Sequence, residues 1–87
     1  MHSLAIAGAV GSVSWGYHEA GSLGAWKIAR VDGVRTLTAE IVQMDATMAS
    51  QRPLAFEARH ANGVWRWPIE SLQITGASLT AVLGSKE

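Results

Sequence analysis

Two stretches decide the fold, "RVDGVR" at residues 30–35 and "HANGVW" at residues 60–65. Each sets Asp-Gly or Asn-Gly between runs rich in valine, isoleucine and tryptophan. Such pairs favour two-residue type I′ hairpins, because both central residues must tolerate a positive φ. A third stretch, "ITGASL" at residues 74–79, puts Gly76-Ala77 where a type II′ turn would sit.

Every turn imposes a register, and the register can be checked against side-chain chemistry. A turn at Asp32-Gly33 pairs Val31 with Val34, Arg30 with Arg35, Ile28 with Leu37 and Trp26 with Ala39, with Lys27 opposite Thr38 on the other face. A turn at Asn62-Gly63 pairs His60 with Trp65, Ala58 with Trp67 and Phe56 with Ile69. Its opposite face holds Arg59 against Arg66, with Glu57 beside Pro68. A turn at Gly76-Ala77 pairs Ile74 with Leu79 and Leu72 with Ala81, leaving Gln73 and Thr80 outside. In each case the apolar partners share one face, as a two-residue side-chain period demands.

Working outward, Val13, Trp15 and Tyr17 alternate with Ser12, Ser14, Gly16 and His18, the pattern of a half-buried strand. Leu4, Ile6 and Val10 extend it, with a bend or bulge expected at Gly8 and Gly11. "HEAGSLG" (residues 18–24) reads as a loop. In "TLTAEIVQM" (residues 36–44) Val42 and Met44 fall out of phase with Leu37, Ala39 and Ile41, so a bulge is expected near Ile41-Val42. Residues 45–53, "DATMASQRP", have no strand character and hold at most one short helical turn near residues 45–51, capped by Asp45. The tail, residues 84–87, is expected to fray.

These elements describe a single all-β domain over residues 1–87: a small antiparallel meander of six or seven short strands. At this length the economical closure is an SH3-like barrel or a compact two-sheet sandwich. The run "WPIESLQI", strand then proline then strand, suits the turn before the last strand of such barrels. Architecture of this kind assigns no function.

Composition narrows the function. Apolar residues make up 48% and charged residues 16%, against about a quarter charged in ordinary domains. Disorder is excluded, since it needs low hydrophobicity and high net charge. Apolar surface is left over, which points to self-association or docking on a larger protein. Seven basic and seven acidic residues cancel, so there is no overall basic footprint for nucleic acid. With no cysteine, disulfides and thiolate chemistry are excluded. The N-terminal "MHSLAIAGAVGSVSWG" lacks a basic start and is broken by Gly8 and Gly11, so it reads as strand, not leader or membrane span. A cytoplasmic location and no membrane partner are expected.

Chemistry-bearing motifs are sparse. His2, His18 and His60 have no metal-ligand spacing, and no metal or other cofactor is expected. No Gly-x-Ser-x-Gly or phosphate-loop pattern occurs, and Glu40, Glu57 and Glu70 read as solvated charges. No catalytic residue is assigned.

The remaining candidates are Arg30, Arg35, Arg59, Arg66, Trp65 and His60. Both arginine pairs set like charges across a ladder, a mildly unfavourable arrangement that one nearby carboxylate relieves. Trp26 and Trp67 fall on core faces, whereas Trp65 reaches the rim, with His60 stacked on its indole. The leading expectation is therefore a non-enzymatic protein–protein interaction or assembly module, binding itself or another protein. The alternative is nucleic-acid binding through Arg30, Arg35, Arg59 and Arg66 with Trp65. A third reading is a small-molecule pocket lined by Tyr17 and the tryptophans.

Overall fold

The computed structural model describes residues 5–16, 18–45 and 55–87. Among the described residues seven strands are present: β1 (Ile6–Gly8), β2 (Gly11–Trp15), β3 (His18–Val31), β4 (Val34–Met44), β5 (Ala55–His60), β6 (Gly63–Thr75) and β7 (Ser78–Leu83). Six of them close into an antiparallel barrel in the order β2-β3-β4-β7-β6-β5, and β1 adds to β3 outside the ring. The strands close as a barrel rather than as a two-sheet sandwich. It is built from two three-stranded meanders, β2-β3-β4 and β5-β6-β7, joined by the β4–β7 and β2–β5 ladders.

The β3–β4 hairpin has the expected register. Asp32 and Gly33 both take positive φ, 53° and 79°, and Val31 pairs Val34, Arg30 pairs Arg35 and Ile28 pairs Leu37. At the β6–β7 hairpin Gly76 (φ 61°) leads the turn, with Ile74 opposite Leu79 and Leu72 opposite Ala81. The β5–β6 hairpin differs. Its turn is Ala61-Asn62, so His60 pairs Gly63, Ala58 pairs Trp65 and Phe56 pairs Trp67. A type I′ turn on Asn62-Gly63 needs positive φ at both residues, and only Gly63 has it, at 145°, as the first residue of β6. Moving the turn by one residue shifts each partner by two, which leaves every side chain on its expected face.

Irregularities in the ladders let long strands bend around the ring. The β1–β3 and β2–β3 pairings share one register, so β1 and β2 act as a single strand broken at Ala9-Val10. The break lies between Gly8 and Gly11, as the sequence suggested. Opposite it β3 bulges, and Ala25 takes φ 46°. That bulge sets aside the expected Trp26–Ala39 pairing, and the Trp26 Nε1 donates to Val10 O at 2.9 Å. The carbonyl at the strand break thus finds a donor. On β4 the extra residue is Val42, between the Leu23–Ile41 and Ser22–Gln43 pairs. This is the bulge that the phase of Val42 and Met44 called for. A further shift between Ile69 and Ser71 bends β6, whose first half pairs β5 and whose second half pairs β7. Bulges of this kind re-aim strands and give a small barrel its curvature.

Two expectations are corrected. Residues 18–24 are the first half of β3, paired with β2 on one edge and β4 on the other, rather than a loop. Residues 84–87 are tied to β6 rather than frayed: Gly84 N donates to Pro68 O and Glu87 N to Arg66 O, each at 2.8 Å. Asp45 lies past the end of β4, its N–H donating to Ala20 O. Residues 46–54, on which most of the expected helical turn falls, and Leu4 and Tyr17 lie outside the described residues.

The barrel interior is filled by Val13, Leu23, Ile28, Leu37, Leu79 and Leu83 around an aromatic column of Trp26, Phe56 and Trp67. Phe56 meets Trp26 edge-on at 5.2 Å and stacks on Trp67 at 5.7 Å between centroids. Trp26 and Trp67 are core, as their phase predicted.

Candidate functional site

The alternation that sends Phe56, Ala58, Trp65 and Trp67 inward sends Glu57, Arg59 and Arg66 to the outer face of β5 and β6. With the turn at Ala61-Asn62, Arg66 lies opposite Glu57, and Arg59 lies opposite Val64. The expected Arg59–Arg66 opposition is therefore corrected. Arg66 Nη1 binds Glu57 Oε2, its Nε lies 3.2 Å from Glu87 Oε1, and its Nη2 donates to Gly16 O at 3.3 Å. One guanidinium thus fastens β5, the C-terminal tail and the β2–β3 turn onto β6.

Closure brings β2 against β5, setting Ser12 opposite Glu57 and Ser14 opposite Ala55, while Ser14 also pairs Glu19 on β3. The result is an open groove of about 630 Å³ lined by Ser14, Gly16, Glu19, Glu57, Arg59 and Arg66. Ser14 is almost wholly buried, and its Oγ has no hydrogen-bond partner among the described residues. Arg59 is exposed on the same groove, with no ion-pair partner among them. Sequence reasoning named Arg59 and Arg66 but read Ser14 and Glu57 as ordinary outward polar residues.

Arg30 and Arg35 do face one another, and they line a second groove, of about 360 Å³, with Glu70 and Gly84. They share the ladder face of the inward Ile28 and Leu37 and extend it past the end of the barrel. Arg30 Nη1 donates to Gly33 O at 3.0 Å and Arg35 Nη1 to Gly84 O at 2.8 Å. The C-terminal tail thus runs from Arg35, at Gly84, to Arg66, at Glu87.

Trp65 is half-buried, edge-on to Trp67 at 6.3 Å, and the Lys86 ammonium lies 5.1 Å from its ring centroid. Its rim position is as expected, but its cross-strand partner is Ala58, which corrects the His60 pairing. His60 pairs Gly63 through its backbone, and its side chain lies outside the described part of the structure. A stacked imidazole and indole do occur elsewhere, between His18 and Trp15 at 5.8 Å and 2°.

The Arg66–Glu57 pair is partly exposed, at 28% and 30% of the two side chains, so its contribution is modest. A double-mutant cycle with Arg66→Gln and Glu57→Gln, read by chemical denaturation, should give a coupling of about 0.5–1 kcal/mol at low ionic strength. The coupling should shrink in high salt.

The chain matches no known family model, no characterised protein and no solved structure, so the site is read from its own geometry.

Proposed function

We propose that this domain is a non-enzymatic assembly module that docks a second copy of itself through outer apolar surface around Val10 and Val42. The observation that carries the reading is the convergence of three ladder irregularities on one spot. The β4 bulge turns Val42 out to 69% exposure, the β1–β2 break leaves Val10 64% exposed, and the β3 bulge exposes Ala25. Between them sits Gly24, whose missing side chain leaves space bounded by a Val42 methyl and the Ala9 carbonyl. A barrel whose bulges push valines into water on one patch has left apolar area for a partner to cover.

A second copy is the favoured occupant because the chain has no net charge, so copies approach without mutual repulsion. One self-complementary patch also suffices for a closed two-fold pair. The nucleic-acid alternative draws less support: Arg30 and Arg35 donate to backbone carbonyls, and Arg66 is held by two glutamates.

Sedimentation over a wide concentration range tests the proposal. The wild-type chain should rise above its 9.2 kDa monomer mass. The Val10→Lys/Val42→Lys variant should stay monomeric with an unchanged near-ultraviolet dichroism spectrum. A wild-type chain that stays monomeric throughout would sink the proposal. Salt-sensitive binding of single-stranded oligonucleotide would favour the alternative.

A further inference from the structure

The β3–β4 hairpin sets Arg30 directly opposite Arg35, an arrangement that costs stability unless an anion offsets it. Neither guanidinium has such a partner. Among the described residues the ion pairs belong to Arg66, and no carboxylate lies within ion-pair distance of Arg30 or Arg35. Asp32, in the turn between them, does not line their groove, and Glu70, on its wall, is exposed and pairs with neither.

The two side chains are nonetheless held in place. Arg30 Nη1 donates to Gly33 O at 3.0 Å and Arg35 Nη1 to Gly84 O at 2.8 Å. Gly84 is fixed in turn by its own N–H, which donates to Pro68 O, and by close packing, since a Cβ there would lie 2.8 Å from Pro68 Cγ. A guanidinium carries several N–H donors, and each anchoring bond uses one. The other donors of both arginines have no acceptor among the described residues. Arg30 is exposed and Arg35 half-buried, so both are reached from the open groove of about 360 Å³ that they line with Glu70, Leu83, Gly84 and Ser85.

We propose that this groove binds the phosphate group of a small molecule, bridged between Arg30 and Arg35. The charged side chains that line it are two guanidiniums and one carboxylate, so the lining is positive. The pairing of two arginines selects the anion. A carboxylate is matched by a single guanidinium fork, whereas a phosphate presents three acceptor oxygens and can take donors from both. A nucleic-acid backbone needs a succession of cations, and no other basic residue lines the groove. Glu70, whose Oε2 lies beside Gly84, opposes the ligand and limits its affinity. This site does not depend on self-association through Val10 and Val42.

The test is an NMR titration of the isotopically labelled chain, at low ionic strength, with inorganic phosphate, a nucleoside monophosphate and acetate. Saturable shifts of the Arg30 and Arg35 Nε–H signals and of the Gly33, Gly84 and Ser85 amides are expected with both phosphates, and weaker ones with acetate. Arg30 is exposed and anchored within its own hairpin, so Arg30→Gln should weaken phosphate binding about tenfold at an unchanged melting temperature. Arg30→Lys should restore only part of that loss, because the ammonium keeps the charge without the fork. Glu70→Gln should tighten binding a few-fold by removing a neighbouring negative charge. The proposal is overturned if phosphate does not saturate, if acetate binds as tightly, or if Arg30→Gln binds like the wild type. Equal shifts at Arg59 and Arg66 would overturn it too, by showing general attraction to basic side chains. A short single-stranded oligonucleotide that binds more tightly than the nucleoside monophosphate would overturn it in favour of nucleic acid.

Discussion

Phe56→Ala should cost about 3–5 kcal/mol of folding stability, measured by urea denaturation, the range for deleting a fully buried aromatic ring. The side chain has 0% exposure and sits in the middle of the aromatic column, edge-on to Trp26 and stacked on Trp67. Its loss removes the contacts that hold two other large rings in place. Relaxation into the void is limited, because β5 is laddered to β2 on one edge and β6 on the other. Small domains have about 5–15 kcal/mol in total, so the variant should be close to unfolding at room temperature. A cost below about 1 kcal/mol would mean that the interior collapses freely, contrary to a closely packed barrel.

Gly11→Ala should also be strongly destabilising, by about 1–3 kcal/mol from overpacking. A Cβ at Gly11 would lie 2.7 Å from Phe56 Cε1, 3.0 Å from its Cζ and 3.1 Å from Trp26 Cδ1. Neither ring has room to retreat, since each is packed against the other. The cause can be isolated by repeating the substitution with Phe56→Leu. If the clash with the phenyl ring is the source, the double variant should be more stable than the sum of the two single costs predicts. Strict additivity would place the strain in the backbone instead.

The parts of the fold that were legible in the sequence are those where local chemistry leaves one solution. Asp32-Gly33 accepts positive φ at both positions, and the valines, isoleucine and leucine beside it sort onto faces only in the register observed. The phase break at Val42 was equally readable, because an extra residue in a strand cannot hide in a two-residue period. "HANGVW" was ambiguous. Ala61-Asn62 and Asn62-Gly63 are both plausible turns, and they differ by a two-residue shift that no face pattern can detect. The charges depended on the choice: one register faces Arg59 with Arg66, the other faces Glu57 with Arg66.

"HEAGSLG" was misread for a different reason. Its glycines, serine and alanine have weak strand preference, and it becomes a strand because β2 and β4 pair with its two edges. Ala20, Gly21 and Leu23 are buried there, where small residues suit a tightly curved wall. The groove was the least legible feature. Ser14, Glu19, Glu57 and Arg66 come from four strands, and only barrel closure makes them neighbours. A serine on an alternating strand gives no sign that its hydroxyl will be buried without a partner among the described residues.

The geometry of the groove rests on that closure. With Glu57 opposite Arg66, one arginine is locked in place and Arg59 is left to line the groove with Ser14. Nuclear Overhauser contacts across β5 and its two neighbours measure this directly. The predicted result is backbone contacts for the Glu57–Arg66 and Ala58–Trp65 pairs, together with Val13–Phe56 contacts that close the ring. Backbone contacts between Arg59 and Arg66, or none between β2 and β5, would contradict it.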